Sequence, residues 1–274
     1  MGAFLGLLAS FSITSMEFFS RKITNEVGPI VAAAAASLIA ASVSILVAVV
    51  TAGDPVVRDL LLGAGSGLGF GLGLSLYLHG LRISSSAVLS PTVAALSAVI
   101  PFIYSAVTGD APPVLGYVGA AAAVVGLLLV TVQGAEASNV GRGLALGIVA
   151  GMGYGFGTVL LINVTEASGN WPIAGQRVAA FSAIATFAMV RRRPVFPPAR
   201  FAGYAGAAGI IAAMSSLFLL AGLAISPAAT SVTASVYPAT SVAAGRAFFG
   251  DVVGRVQVIG LAVVISGTIL IVVA

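Results

Sequence analysis

The sequence predicts an all-α membrane protein with ten transmembrane helices arranged as two inverted five-helix repeats. Of its 274 residues, 59% are hydrophobic and only 7% are charged, whereas charged side chains make up about a quarter of a typical soluble domain. Ten uncharged runs, each close to the roughly 20 residues that cross a bilayer, fill most of the chain. The last five runs repeat the first five at a constant spacing, which indicates an internal duplication.

The ten runs are bounded by charged residues, prolines or polar clusters. They lie near residues 2–20, 29–52, 59–81, 86–108 and 112–133, and then near 143–163, 172–190, 201–224, 227–249 and 256–273. We therefore divide the chain into a first five-helix unit over 1–133, a polar linker over 134–141 and a second five-helix unit over 142–274. The basic pair Arg21-Lys22 follows the first run rather than preceding it, so we expect a retained helix and not a signal peptide.

The two units align without a gap when the chain is shifted against itself by 141 positions. The shift places Ser75 on Ser216, Gly119 on Gly260, Gly126 on Gly267, and the pair Gly109-Asp110 on Gly250-Asp251. Because five is an odd number of spans, the second unit enters the membrane from the opposite side, and the two units are inverted. Inverted repeats are typical of secondary transporters, in which two related halves expose one midplane site to either face in turn. A membrane scaffold that merely duplicated is the alternative.

Composition also excludes several classes of protein. The chain has no cysteine and a single histidine, so a zinc site, an iron–sulfur cluster and a disulfide framework lack ligands. The formal charge of +4 comes from arginines that lie between apolar segments, where they set membrane orientation. We therefore expect no enzymatic activity, no cofactor, no metal site and no nucleic-acid partner.

Alternate glycines from Gly63 to Gly73 resemble a dinucleotide-binding fingerprint, but they lie within an apolar run that no strand precedes. We therefore reject a nucleotide site. Small residues at every fourth position form helix faces that let neighbouring backbones approach closely, so these glycines are predicted to pack or slide against other helices.

Ionisable residues at membrane depth are costly, which makes them candidates for a functional site. Arg177 lies about five residues inside the seventh span, beside Gln176. Its guanidinium either reaches outward to the interface or holds a substrate carboxylate with two parallel hydrogen bonds. Glu17 either pairs with Arg21 four residues later or faces a cavity as an acceptor of a proton or a cation. Arg246 is predicted to neutralise Asp251 or a helix end.

Three tyrosines fall deep enough in their spans to line a central cavity, namely Tyr77, Tyr154 and Tyr237. Tyr237 directly precedes Pro238 and follows Thr233 by one helical turn, so we group Thr233 with it. The predicted substrate-binding set is Arg177, Gln176, Tyr237, Thr233, Tyr77, Tyr154 and Glu17.

Three stretches resemble the EamA-type ten-helix members of the drug/metabolite transporter superfamily. The first is the run 231–241, with Gly250-Asp251 and 257–260 after it, which is similar to that family's ninth helix, Gly-acidic turn and tenth helix. The second is the run 91–101 followed by Gly109-Asp110, and the third is the run 171–177 followed by the basic residues 191–193. The resemblance covers nearly the whole chain and implies a secondary transporter of small metabolites, often amino acids moved outward.

The sequence therefore predicts a carrier that exports an amino acid or a related solute by alternating access. One alternative is an exporter of lipophilic cations, for which Glu17 is the acidic cavity residue, and another is a membrane scaffold that does not transport. The expected partners are the small-molecule substrate, a coupling proton as an open option, and membrane lipid, with the chain as a monomer or a homodimer. The expected location is the cell membrane, as a multi-pass protein of the bacterial inner membrane.

The basic residues also predict an orientation. Connections of odd number carry Arg21, Lys22, Arg82, Arg142, Arg191, Arg192, Arg193, Arg200 and Arg255, whereas connections of even number carry only Arg58. By the positive-inside rule the odd connections are cytoplasmic and both termini lie outside. The family resemblance implies the opposite orientation, with cytoplasmic termini.

Overall fold

A computed structural model describes residues 1–108, 113–132, 139–225, 233–234 and 236–273. The regular secondary structure of these residues is entirely helical. They form α1 (Gly2–Glu26), α2 (Pro29–Val50), α3 (Val57–Ile83), α4 (Ser86–Thr108), α5 (Val114–Val132), α6 (Val140–Ile162), α7 (Trp171–Val190), α8 (Ala202–Ile225), α9 (Tyr237–Phe249) and α10 (Arg255–Val273), with short 3₁₀ turns at Glu166–Ser168 and Ala199–Phe201. The predicted Gly109-Asp110 turn, most of the linker and the run 226–232 lie outside the described residues.

Within the described ranges, six segments are long and apolar enough to cross a membrane. They are α2, α3, α4, α6, α7 and the segment Ala199–Leu219, which contains most of α8. The all-α class predicted from composition is confirmed, and six segments of this kind indicate a membrane protein.

Helix boundaries differ from the sequence prediction at three places. Helix α1 continues to Glu26, six residues past the predicted end of the first run, so Arg21 is a helical residue and not part of a connection. Helix α6 begins at Val140, so the predicted linker is partly helical. Helix α9 begins at Tyr237, which puts Pro238 in its first turn. The N–H groups of that turn have no intrahelical partner, so a proline there costs no hydrogen bond.

Successive helices alternate in direction, and contacts between distant connections hold each end of the bundle together. At one end, Arg200 of the connection before α8 donates to Glu26 at the end of α1, with 3.2 Å between Nη2 and Oε2. At the other end, the Asn170 side chain before α7 donates to Thr51 after α2, at 3.0 Å.

The end that contains Glu26 and Arg200 is called the basic end. Of the 12 Lys and Arg residues in the chain, all except Arg58 and Arg177 lie within about two helical turns of it. The remaining end, where Asn170 meets Thr51, is called the opposite end. The two ends of the bundle therefore differ strongly in their number of positive charges.

The glycines of α3 allow two neighbouring helices to approach its backbone. A Cβ at Gly63 or Gly67 would overlap the carbonyl oxygens of Pro172 and Gln176 in α7, respectively. On another face of α3, Gly69 contacts Gly153 of α6, where a Cβ at either position would lie 2.5 Å from the other's carbonyl oxygen. These contacts agree with the predicted packing role of the glycine faces.

Candidate functional site

A cavity of about 340 Å³ lies among eight helices, α1 to α4 and α6 to α9. Most of its wall is apolar, made by alanines together with leucine, isoleucine, valine, methionine and phenylalanine side chains. The polar residues that line it are Glu17, Ser37, Tyr77, Ser97, Tyr154, Thr158, Arg177, Ser215, Ser216 and Tyr237. A chamber of this size and chemistry, with a few polar groups on an apolar wall, is typical of sites for small molecules.

Glu17 lies on the side of the cavity nearer the basic end, and its side chain is buried. Its carboxylate accepts a hydrogen bond from the Ser241 hydroxyl of α9 at 2.5 Å. Ser241 and Ser90 of α4 have their hydroxyl oxygens 2.8 Å apart, and the Tyr77 hydroxyl of α3 is 2.7 Å from that of Ser90. Four helices therefore meet in one chain of hydroxyl groups that ends at a carboxylate.

Glu17 forms no salt bridge with a described residue, and the charge of Arg21 acts on it only electrostatically, without a direct contact. Of the two alternatives for Glu17, the salt bridge with Arg21 is wrong, because Arg21 pairs with Asp251 instead. Its guanidinium donates to both Asp251 oxygens, with distances of 2.9 and 2.6 Å. The cavity-facing alternative for Glu17 is the one that the geometry supports. Arg246 does not pair with Asp251 but lies in the last turn of α9, in agreement with the other alternative for it, a helix end. Arg246 is exposed on α9.

Arg177 lines the cavity from α7, about two turns from the opposite end. One of its terminal nitrogens, Nη2, donates to the Ser216 hydroxyl of α8 at 2.8 Å. Its Nε is buried and has no hydrogen-bond partner in the described part of the chain. No carboxylate of the described residues forms a salt bridge with it. Tyr154, which also lines the cavity, interacts electrostatically with both Arg177 and Glu17.

Of the seven predicted binding residues, five line this one cavity, namely Glu17, Tyr77, Tyr154, Arg177 and Tyr237. Gln176 does not line it. Its amide donates to Ser66 at 2.8 Å and is buried between α7 and α3, because the residue next to Arg177 on a helix points about 100° away from it. Thr233 is half-buried and is not among the described lining residues.

Sequence reasoning missed the hydroxyl groups that bind the two charges. Ser216, the partner of Arg177, had one available signal, since the repeat alignment places it on Ser75. The same alignment places Ser90 on Ser231, and Ser241 ends the run 231–241, but neither pattern predicts the contacts with Tyr77 and Glu17, which only the fold creates.

Beyond Glu17, toward the basic end, lies a buried ion pair, Arg21–Asp251, with side chains only 8% and 5% exposed. Asp251 Oδ2 also accepts hydrogen bonds from the backbone N–H and the hydroxyl of Ser86 at the start of α4, at 2.9 and 2.6 Å. The Arg21 guanidinium lies over the Phe249 ring, 4.3 Å from its centre. A space of only about 10 Å³ remains between this ion pair and Glu17.

A second buried aspartate lies at the opposite end. Asp59, at the start of α3, accepts hydrogen bonds from the Thr165 N–H at 3.0 Å, from the Thr165 hydroxyl at 2.5 Å and from the Ser168 hydroxyl at 2.7 Å. All of these contacts use Oδ2, while Oδ1 meets the exposed Arg58 at 3.3 Å. Asp59 therefore joins α3 to the connection between α6 and α7.

Comparison with known proteins gives a fold but no activity. No family model and no curated protein matches the chain. Several solved structures match it, and one, described only as a crystal structure of protein, superposes with a TM-score of 0.67 at 17% sequence identity. The superposition covers 99% of this chain and 97% of that one, so the two share the fold over their whole lengths.

Proposed function

We propose that this chain is a secondary transporter that moves a small zwitterionic solute, such as an amino acid or a related metabolite, by alternating access. The observation that carries the proposal is the charge arrangement of the cavity. Among the described residues, the cavity contains one arginine that forms no salt bridge with a carboxylate and one carboxylate that forms none with a cation, on an otherwise apolar and hydroxyl-lined wall.

A zwitterion supplies both missing partners. Burial of an unpaired charge costs several kcal/mol even after the protein relaxes, so each free charge favours a ligand of opposite sign. A solute carboxylate can accept from Arg177, including the unused Nε donor, and a solute ammonium can donate to Glu17. The apolar wall between them suits an aliphatic or aromatic side chain.

The family proposal is that the chain is an EamA-type member of the drug/metabolite transporter superfamily, with ten spans in two inverted repeats over 1–133 and 142–274. The packing of α5 on α10 supports it. Gly119 packs on Gly267, and Gly126 packs on Gly260. A shift of 141 residues turns 119 into 260 and 126 into 267, so the two contacts are exchanged by the repeat, as expected for a two-fold axis.

Alternating access requires the closed side of the cavity to open. The ion pair between Arg21 and Asp251 joins α1 of the first unit to the connection before α10 of the second. We therefore assign it as the gate of the basic end, which separates when the cavity faces that side. The segregation of basic residues favours a cytoplasmic location for this end and outside termini.

The experiment compares transport by Arg177→Lys, Arg177→Ala and the unmodified chain in the same membranes, with expression normalised. Lysine keeps the charge but cannot make two parallel hydrogen bonds to a carboxylate. We expect Arg177→Lys to reduce transport by roughly tenfold or more, the loss of about 1.4 kcal/mol of binding. Gln176→Leu is the matched control, because that side chain lies next in sequence but outside the cavity. Unchanged transport in both Arg177 variants would refute the proposal.

An exporter of lipophilic cations is the second candidate, and the cavity-facing Glu17 carboxylate with its apolar surroundings favours it. Such a solute is repelled by Arg177, so Arg177→Ala should increase its export, and Glu17→Gln should abolish it. A screen for ligands that raise the melting temperature of the purified protein, with amino acids against organic cations, separates the two candidates before any transport assay.

A further inference from the structure

A second, separate depression lies on the outer surface of α7, away from the central cavity. It has a volume of about 530 Å³ and is lined by Leu68 of α3 and by six residues of α7: Ala179, Ser182, Ala183, Thr186, Phe187 and Val190. The small side chains recess the helix surface, while Leu68, Phe187 and Val190 are exposed and border the recess. We call it the α7 groove.

The length of the α7 groove matches the depth of one lipid leaflet. From Ala179 to Val190 the helix rises by roughly 16 Å, at 1.5 Å per residue. The hydrocarbon core of a bilayer is about 30 Å thick, so one leaflet supplies roughly 15 Å of acyl chain. The groove ends at the last residue of α7, so in a bilayer whose headgroups lie at the level of residues 191–193 it spans the acyl region of one leaflet.

Arginines stand at the end of the groove. Arg191, Arg192 and Arg193 follow Val190 directly and are exposed, and the Arg191 guanidinium lies 5.4 Å from the centre of the Phe187 ring in the groove wall. Arg82 lies in the last turn of α3, the other helix that lines the groove. None of these four arginines forms a salt bridge with a described residue.

The backbone fixes the three consecutive arginines in place. The Arg193 N–H donates to the Ala188 carbonyl at 2.8 Å and the Arg192 N–H to that of Met189 at 3.0 Å, and Arg192 has a left-handed φ of 50°. This is the hydrogen-bond pattern of a capped helix terminus. The cations are therefore presented at a defined point on the groove and not on a loose connection.

We propose that the α7 groove binds one acyl chain of an anionic phospholipid whose headgroup phosphate is bound by Arg191 and the neighbouring arginines. The site is independent of the solute cavity and of the transport proposal. Arginine pairs with phosphate through two parallel hydrogen bonds, and basic pockets beside membrane helices bind anionic headgroups. The acyl chain of a zwitterionic lipid also fits the groove, but its headgroup carries no net negative charge to offset the arginines.

The test is native mass spectrometry of the full chain, purified in detergent and mixed with equal amounts of phosphatidylglycerol and phosphatidylcholine of identical acyl chains. We expect one retained phosphatidylglycerol, preferred over phosphatidylcholine by at least fivefold. A basic side chain near the surface contributes about 1 kcal/mol, or roughly fivefold, to such binding. Arg191→Gln, Arg192→Gln and Arg193→Gln combined should remove the preference. Arg142→Gln with Arg255→Gln, exposed at the same end on other helices, is the charge control.

Groove filling tests the acyl-chain half of the site. Ala183→Phe should abolish retention of both lipids, whereas Ala262→Phe should not. Ala262 is exposed on α10, seven residues from the basic-end terminus of its helix, as Ala183 is from that of α7. Equal retention of the two lipids, or an undiminished preference in the arginine variant, overturns the proposal. Binding of glycerol phosphate with the same affinity as the lipid also overturns it, because the occupant is then a free anion. A dimer that Ala183→Phe dissociates overturns it as well, because the occupant is then a second copy of the chain.

Discussion

The two ends of the bundle both bury an aspartate, but they neutralise it differently. At the basic end, Asp251 is paired with the buried cation Arg21 and with two donors of Ser86. At the opposite end, Asp59 is bound by three neutral donors of Thr165 and Ser168, and its cation Arg58 is mostly exposed. Removing one partner of the ion pair leaves the other charge buried and unpaired, whereas removing Asp59 leaves only neutral donors. The stability of the basic end therefore requires both charges to be present or both to be absent.

The largest expected effect comes from breaking the ion pair on one side only. Asp251→Ala leaves Arg21 buried and unpaired, which should reduce the free energy of unfolding by about 3–5 kcal/mol. Replacing both charges, with Arg21→Met and Asp251→Leu, should recover the stability to within about 1 kcal/mol, because no unpaired charge remains. Urea unfolding in detergent measures both. Equal losses in the single and double variants would show that the pair is not the source of the stability.

Asp59→Ala should cost less. It leaves three donors of Thr165 and Ser168 without an acceptor, and an unsatisfied buried donor costs about 1–3 kcal/mol. Because hydroxyl groups can rotate toward other acceptors, we expect a total loss of about 2–3 kcal/mol in the same unfolding assay. Removing Arg58 as well should not restore the stability, in contrast with the double variant at the basic end. A recovery in Arg58→Gln with Asp59→Ala would contradict the distinction between the two ends.

Labelling of a single cysteine tests whether the Arg21–Asp251 pair is a gate. The chain has no cysteine, and Ala244 borders the small space beneath the ion pair. In Ala244→Cys, a membrane-impermeant thiol reagent added from the basic end should react slowly. Adding Asp251→Asn should raise the rate about tenfold, if losing the pair shifts the closed state by about 1.4 kcal/mol. Asp59→Asn is the control and should leave the labelling rate unchanged. An unchanged rate with Asp251→Asn would show that the pair is not the gate.

The pH dependence of stability follows from Asp251. Burial raises the pKa of its carboxyl, but hydrogen bonds from Arg21 and Ser86 and the charge of Arg21 outweigh burial, so its pKa lies below the ordinary value. A lowered folded pKa contributes stability above the unfolded pKa of about 3.9, and that contribution is lost as the pH falls through the folded pKa. The melting temperature should therefore fall less between about pH 4 and pH 2 in Asp251→Asn than in the unmodified chain, and an equal fall would contradict this.

The smallest effect is expected at the surface pair of the basic end. Glu26 and Arg200 form a salt bridge of 3.2 Å, but their side chains are 58% and 70% exposed. Exposed pairs contribute about 0–1 kcal/mol, so Glu26→Gln should change the free energy of unfolding by less than about 0.5 kcal/mol. A loss as large as that of Asp251→Ala would mean that charge at this end, and not burial, determines the stability.

The sequence could predict most residues of the candidate site but not which of them contact one another. Glu17 and Arg177 stand out because ionisable residues within apolar runs are rare, and Tyr77, Tyr154 and Tyr237 stand out by depth. Gln176 was assigned by proximity in sequence, and the rotation of the helix turns it away from the cavity. A spacing of four residues on one helix makes Arg21 one of the two alternatives for Glu17, but Asp251, 230 residues away, is the carboxylate that Arg21 binds.

The all-α class, the apolar helices and the glycine faces follow from local composition and periodicity, which tertiary packing does not change. Which charges meet depends on how the helices pack. The hydroxyl groups that bind Glu17, Asp59 and Asp251 belong to other helices and connections, more than 100 residues away in sequence. A buried charge takes whichever donor the packed helices bring within about 3 Å. That distance is a property of the assembled bundle and of no single segment.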